Sequence, residues 1–164
     1  MFQKILFINL LFSIILSSQD KVKTKWMIAE ATNGDKKVIY RFLSEKPKTS
    51  KTIPLKEVIS ITWKYGNDMP DKATQESMEK LENALHKLTV DGSSELSLVI
   101  TGLGSKEWCY YAKDYPKFMK DLNKALTGHK RYPIKISHSK DPEWKYWHSF
   151  TDKILKKSND KSQK

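Results

Sequence analysis

The sequence predicts an α+β fold, with strands and helices in βαββαβ order, a β-hairpin added before them and a helix after them. Three observations lead there. β-Branched and aromatic runs bounded by turn residues recur along the chain, as strands require. Two longer stretches carry apolar residues at helical spacing. Between Val58 and Ser137 the two kinds alternate as strand, helix, strand, strand, helix, strand.

Trp26 to Ala31 alternates weakly and meets Asn33-Gly34, a hairpin turn signal. Val38 to Leu43 is the returning strand. Ser44 to Lys56, rich in Lys, Thr, Ser and Pro, is a loop. Val58 to Tyr65 is β-branched and aromatic, and Gly66 to Pro70 turns the chain. Asp71 to Leu88 is a helix with Met78, Leu81, Leu85 and Leu88 on one stripe, stopped before Asp91-Gly92. Leu96 to Thr101 and Glu107 to Lys113 are strands joined by a glycine-containing turn at Gly102 to Ser105. Asp114 caps the next helix and Pro116 suits its first turn. That helix buries Phe118, Met119, Leu122, Ala125 and Leu126 and ends at Gly128. Pro133 to Ser137 is the last strand. Asp141-Pro142 opens a third helix carrying Trp144, Trp147, Thr151 and Ile154, which frays beyond Lys157. The order is the split βαβ pattern of a ferredoxin-like sandwich. Both core helices would cover one sheet face, with the Val58 and Glu107 strands at the centre.

The chain has 164 residues, 38% of them hydrophobic, which suits one domain with a true core. A single cysteine excludes an intramolecular disulfide framework and a CxxC zinc site. No apolar run reaches the length that spans a bilayer, so the mature chain is expected to have no transmembrane span. The N-terminus has the form of an export signal. Lys4 is basic, Ile5 to Leu16 is apolar, and Ser17 and Ser18 precede Gln19 and Asp20. Cleavage after Ser18 is expected; uncleaved, the segment would be an anchor, for which it is short. No cysteine near that point suggests a lipoprotein. The expected organisation is a signal peptide over 1–18, one α+β domain over 19–157 and a disordered basic tail over 158–164. The location is periplasmic or secreted.

The net charge is +11, but its excess lies outside the middle of the chain: +6 over 19–56, zero over 57–143 and +4 over 144–164. A nucleic-acid-binding domain more often places a basic face on its folded core. Nucleic acid is therefore not the expected partner. Solvated tails account for the excess, and attraction to anionic surfaces is the functional alternative.

Four runs carry a family resemblance: W-K-Y-G-N-D-M-P at Trp63 to Pro70, T-G-L-G-S-K-E-W-C-Y-Y-A-K-D at Thr101 to Asp114, Y-P-I-K-I at Tyr132 to Ile136, and D-P-E-W-K-Y at Asp141 to Tyr146. In order and spacing they resemble the domain of unknown function 695 family, from about Lys25 to Phe150. The resemblance implies a ferredoxin-like fold and no activity that transfers to this chain. Some members of the family it resembles are joined to a domain similar to a protein regulator of ribonuclease E, which acts by binding.

Alternation places Trp108 and Tyr110 on one sheet face and Cys109 and Tyr111 on the other. Trp63 and Tyr65 share a face on the neighbouring central strand. Trp63, Tyr65, Trp108 and Tyr110 are thus the candidate binding residues, a ring platform of the kind RNA-recognition modules use. The second motif of those modules is absent, and an exported chain would more readily stack sugar rings. Alternatively the hairpin and the third helix pack over the rings. His86, His129, His138 and His148 form no HxH or HExxH pair, and no metal or cofactor is expected. His138, Asp141 and Glu143 read as a solvated turn rather than a cation site. The two glycines of Thr101 to Ser105 read as a hairpin turn rather than a phosphate loop. Cys109 reads as a buried core residue. Asp68, Asp71 and Glu76 sit at a helix start, where the dipole accounts for them. The expected function is a non-catalytic binding module, with a protein or an envelope glycan as partner. The alternatives are a hydrolase of an envelope polymer using Glu107 or Asp68 as acid and base, and an electrostatic binder of anionic surfaces.

Overall fold

The computed structural model describes residues 26–47 and 53–161. The expected signal over 1–18, part of the Ser44–Lys56 loop, the Ile154 side chain and residues 162–164 lie outside the described residues. The fold is mixed α+β: one six-stranded antiparallel sheet and three α-helices. The strands are β1 (Trp26–Asn33), β2 (Lys36–Leu43), β3 (Glu57–Lys64), β4 (Ser94–Gly102), β5 (Ser105–Ala112) and β6 (Ile134–Lys140). The helices are α1 (Lys72–Leu85), α2 (Tyr115–Ala125) and α3 (Lys145–Lys161). The sheet order is β1-β2-β4-β5-β3-β6.

Local chemistry explains the element ends. The β1–β2 pair closes Asn33 onto Lys36, so its two-residue turn is Gly34-Asp35, one residue beyond the expected centre. Asp71 caps α1 by accepting the Thr74 N–H at 2.7 Å, and Asp114 caps α2 by accepting the Lys117 N–H at 2.8 Å. The α-helical part of the first helix stops at Leu85 and continues as a 3-10 turn, His86–Thr89, which still buries Leu88. Gly102 closes β2 onto β4: a Cβ there would stand 2.5 Å from the Lys37 carbonyl oxygen, on a backbone of φ +140°. The third helix differs from expectation at both ends. It begins at Lys145 and runs to Lys161, beyond the Lys157 limit.

The central strands of the sheet are buried on both faces. Over one, α1 and α2 bring Met78, Leu81, Leu85, Phe118 and Leu122 against Ile59, Ile61, Trp63, Val99, Trp108 and Tyr110. Over the other, Trp144 and Trp147 from the α3 region meet Ala29, Phe42, Val58, Leu98, Cys109 and Tyr111. Each large side chain so buried contributes roughly 1.5–3 kcal/mol. The hairpin β1–β2 extends the sheet beyond β4, and this extension leaves an open angle beside α1.

Cys109 lies in the second core with no exposed surface, and burial pushes its thiol up to about 12. Thiol labelling of the native protein is expected to be slow against that of the unfolded chain. Rapid stoichiometric labelling would contradict this placement.

Candidate functional site

The expected ring platform is corrected by the packing. Trp108 and Tyr110 have 0% and 1% of their surface exposed, and Trp63 has 8%. Alternation places them on one face as expected, but α1 and α2 cover that face, rather than the hairpin and α3. Only Tyr65, half-buried past the end of β3, keeps open surface, and its hydroxyl donates to the Ser105 carbonyl at 2.9 Å. These rings are the core beneath two helices and offer no open stacking surface.

The D-P-E-W-K-Y run holds α3 on the sheet. Asp141 is buried and accepts three donors: the Tyr111 hydroxyl at 2.6 Å and the N–H groups of Lys145 and Tyr146 at 2.8 and 2.9 Å. The Tyr111 oxygen accepts the Trp147 N–H at 3.2 Å. Trp144 stacks on Tyr111, with centroids 3.8 Å apart and planes at 3°, and its indole donates to the Leu55 carbonyl at 3.1 Å. Trp144 takes φ +61°, a conformation rare for a bulky residue, which the stack and the indole bond hold in place. Burial opposes the charge on Asp141, but the Tyr111 bond and the two N–H groups keep its carboxyl below the usual range.

Other expected carboxylates are also occupied. Glu107 faces α3, where Ser60 and Tyr146 hydroxyls donate to it at 2.5 and 3.1 Å. Asp68 pairs with Lys36 at 3.1 Å, and Asp71 is the α1 cap. Glu76 is exposed on α1. The four histidines are dispersed. His138 stacks on Tyr115 at 3.6 Å, His129 bonds Tyr132 at 2.9 Å, His148 packs edge-on against Trp147, and His86 is exposed after α1. His138, Asp141 and Glu143 do not converge, because Asp141 is turned inward and Glu143 pairs with Lys145 at 2.9 Å. Among the described residues no group of three His, Cys, Asp or Glu is placed to hold a metal ion. No helix among them is long and apolar enough to cross a membrane.

A site not foreseen from the sequence lies in the open angle between the hairpin and α1. A cavity of about 460 Å³ is lined there by Trp26, Arg41, Glu82, His86, Glu95 and Tyr110, among others. The β4 bulge shifts register between Leu96 and Leu98, next to Glu95 at the cavity wall. Glu82 organises one side. It binds the Arg41 guanidinium, the Lys106 ammonium at 2.9 Å and the Trp108 indole N–H at 3.1 Å. Burial raises its carboxyl, but the Arg41 and Lys106 bonds and charges outweigh this and hold it at about 2. Arg41 also lies over the Trp26 ring, 5.5 Å from its centroid. Glu95 is the contrasting group: half-buried, its carboxyl raised by burial and without a hydrogen bond or ion pair among the described residues. Among the described residues one carboxyl is fully engaged and the other has no partner.

The Glu82 cluster has a pH signature. Its folded carboxyl titrates below the ordinary value of 4.5, so its stabilisation is fully present above about pH 4.5 and is lost as pH falls towards 2. The contribution is on the order of 2–3 kcal/mol. Melting of the wild type and Glu82→Gln, compared at neutral and acidic pH, is expected to show the gap between them narrowing in acid. A constant gap would mean that the cluster is not coupled to folding.

The sheet, with helices over both of its faces, and a lateral groove of mixed polar and apolar lining define a mixed α+β protein with no converging metal ligands among the described residues. The chain belongs to a family of unknown function, DUF695, whose model matches residues 24–151. A comparison with curated proteins finds no match.

Proposed function

We propose that the protein is an exported, non-catalytic binding module that holds its ligand in the groove between α1 and the β1–β2 hairpin. The observation that carries this reading is the cavity itself: about 460 Å³, within the range of ligand pockets, with a tryptophan and a carboxyl that has no partner among the described residues on its wall. The export part of the reading rests on the basic, apolar and small-residue pattern of Met1 to Ser18, and puts the protein in the periplasm or outside the cell. The fold part is a ferredoxin-like sandwich with an appended hairpin and helix. Its support is the order β6-β3-β5-β4 within the sheet and the two helices sharing one face.

Binding is favoured over hydrolysis by the state of Glu82. Its oxygens are taken up by Arg41, Lys106 and Trp108, so it has little freedom to move a proton beside Glu95. The test is retention on a cell-envelope fraction. Glu95→Arg, which fills the groove, is expected to abolish retention with melting unchanged. Val90→Arg, at a position 77% exposed outside this groove, is expected to leave it intact. Equal retention by both variants would place binding elsewhere.

A further inference from the structure

We propose that the ligand held between α1 and the hairpin is an uncharged oligosaccharide. This rests on the groove being the binding site, and goes further by naming the ligand's chemistry. Although the chain is strongly basic, the cations beside the groove are already committed: Arg41 and Lys106 both bind Glu82. An anionic ligand would share the groove with two carboxyl groups, Glu82 and Glu95, and would find Arg41 already paired with one of them. A cationic ligand would find only the Glu95 carboxyl not already engaged among the described residues, and would enter beside the Arg41 guanidinium. The groove therefore selects against net charge of either sign.

What it offers instead is a flat ring and short-range polar contacts. Trp26 is half-buried at the wall, and Leu96, also half-buried, adds apolar surface. Asn83, His86, Thr89 and Glu95 supply both donors and acceptors. Sugar rings match this pairing, because each has an apolar C–H face and a rim of hydroxyls that donate and accept. Glu95 is the sharpest element of the match. Burial favours its uncharged form, and its oxygens have no protein partner among the described residues. A hydroxyl meets such a group without bringing a charge. A site built around hydroxyl contacts rejects ligands that leave its polar groups unpaired.

The full chain, recovered after export, is titrated calorimetrically with short neutral oligosaccharides built on glucose, mannose and N-acetylglucosamine. Uronic-acid oligosaccharides and acidic and basic peptides are titrated alongside. Saturable binding of a neutral series is expected, with Trp26→Ala and Glu95→Ala each weakening it by about tenfold, the scale of one lost ring or polar contact. Melting of both variants should stay near wild type. Binding only of the uronates or peptides, lost in the same two variants, would overturn the oligosaccharide assignment and keep the groove as the site. The oligosaccharide assignment also falls, with the groove kept, if no probe binds while envelope retention still depends on position 95. Binding of any probe that is indifferent to both variants would remove the groove itself.

Discussion

Trp108→Ala is expected to destabilise the protein by about 3–5 kcal/mol, the cost of emptying a large, fully buried aromatic site. Trp108 has no exposed surface and sits where Ile61 on β3 and Val99 on β4 flank it in register, beneath α1. Its indole also donates to Glu82, so truncation takes a donor from a half-buried carboxylate as well as leaving a cavity. For a chain of this size the melting temperature should fall by about 10 °C or more. Trp108→Phe, which fills most of the volume and loses only the indole bond, should recover much of the loss. Thermal unfolding followed by circular dichroism decides the matter. A Trp108→Ala variant that melts near wild type would mean that the ring is not core.

Asp141→Ala is expected to cost about 2–4 kcal/mol, because a buried carboxylate with three donors leaves each of them unmatched when removed. The Tyr111 hydroxyl and the first N–H groups of α3 lose their acceptor together. The loss is local in the first instance: α3 should loosen from the sheet. Amide exchange in Lys145–Lys153 should therefore quicken more than in β5 or α1. Tyr111→Phe keeps the stack on Trp144 and removes only the hydroxyl, so it should cost about 1–2 kcal/mol. Unchanged exchange in α3 would mean that the helix is held by Trp144 and Trp147 packing alone.

Much of the secondary structure was legible because its signals are local. The Asp71 and Asp114 caps, the helical stripes and the alternation of β3 and β5 depend on neighbours within a few residues. The orientation of the sheet was not legible. Trp108 to Ala112 is buried on both faces, so alternation separates Trp108 from Cys109 without telling which side α1 covers. That is why the expected ring platform proves to be core. Asp141 misled for a related reason. It reads as a helix opener exposed to solvent, whereas a donor thirty residues earlier, Tyr111, draws it inward. The groove was hidden because it joins distant segments: Trp26 and Arg41 from the hairpin, Glu82 from α1 and Glu95 from β4. Glu82 lies at the edge of the α1 stripe, between Met78 and Leu85 on the helix surface, where a carboxylate reads as solvated. The available signal was the extra hairpin, which widens the sheet beyond the helices and must leave part of one face open.

The most direct test of the groove as binding site follows the five tryptophan indole N–H signals by nuclear magnetic resonance while a soluble envelope extract is added. Each indole reports on one place. Trp26 lies at the groove, Trp63 and Trp108 lie under α1 and α2, and Trp144 and Trp147 lie at the α3 interface. With the ligand in the groove, the Trp26 signal shifts with saturation, Trp63, Trp144 and Trp147 hold still, and Trp108 moves only slightly through its bond to Glu82. Large shifts at Trp63 and Trp108 with Trp26 unmoved would contradict this and return the binding face to the central strands.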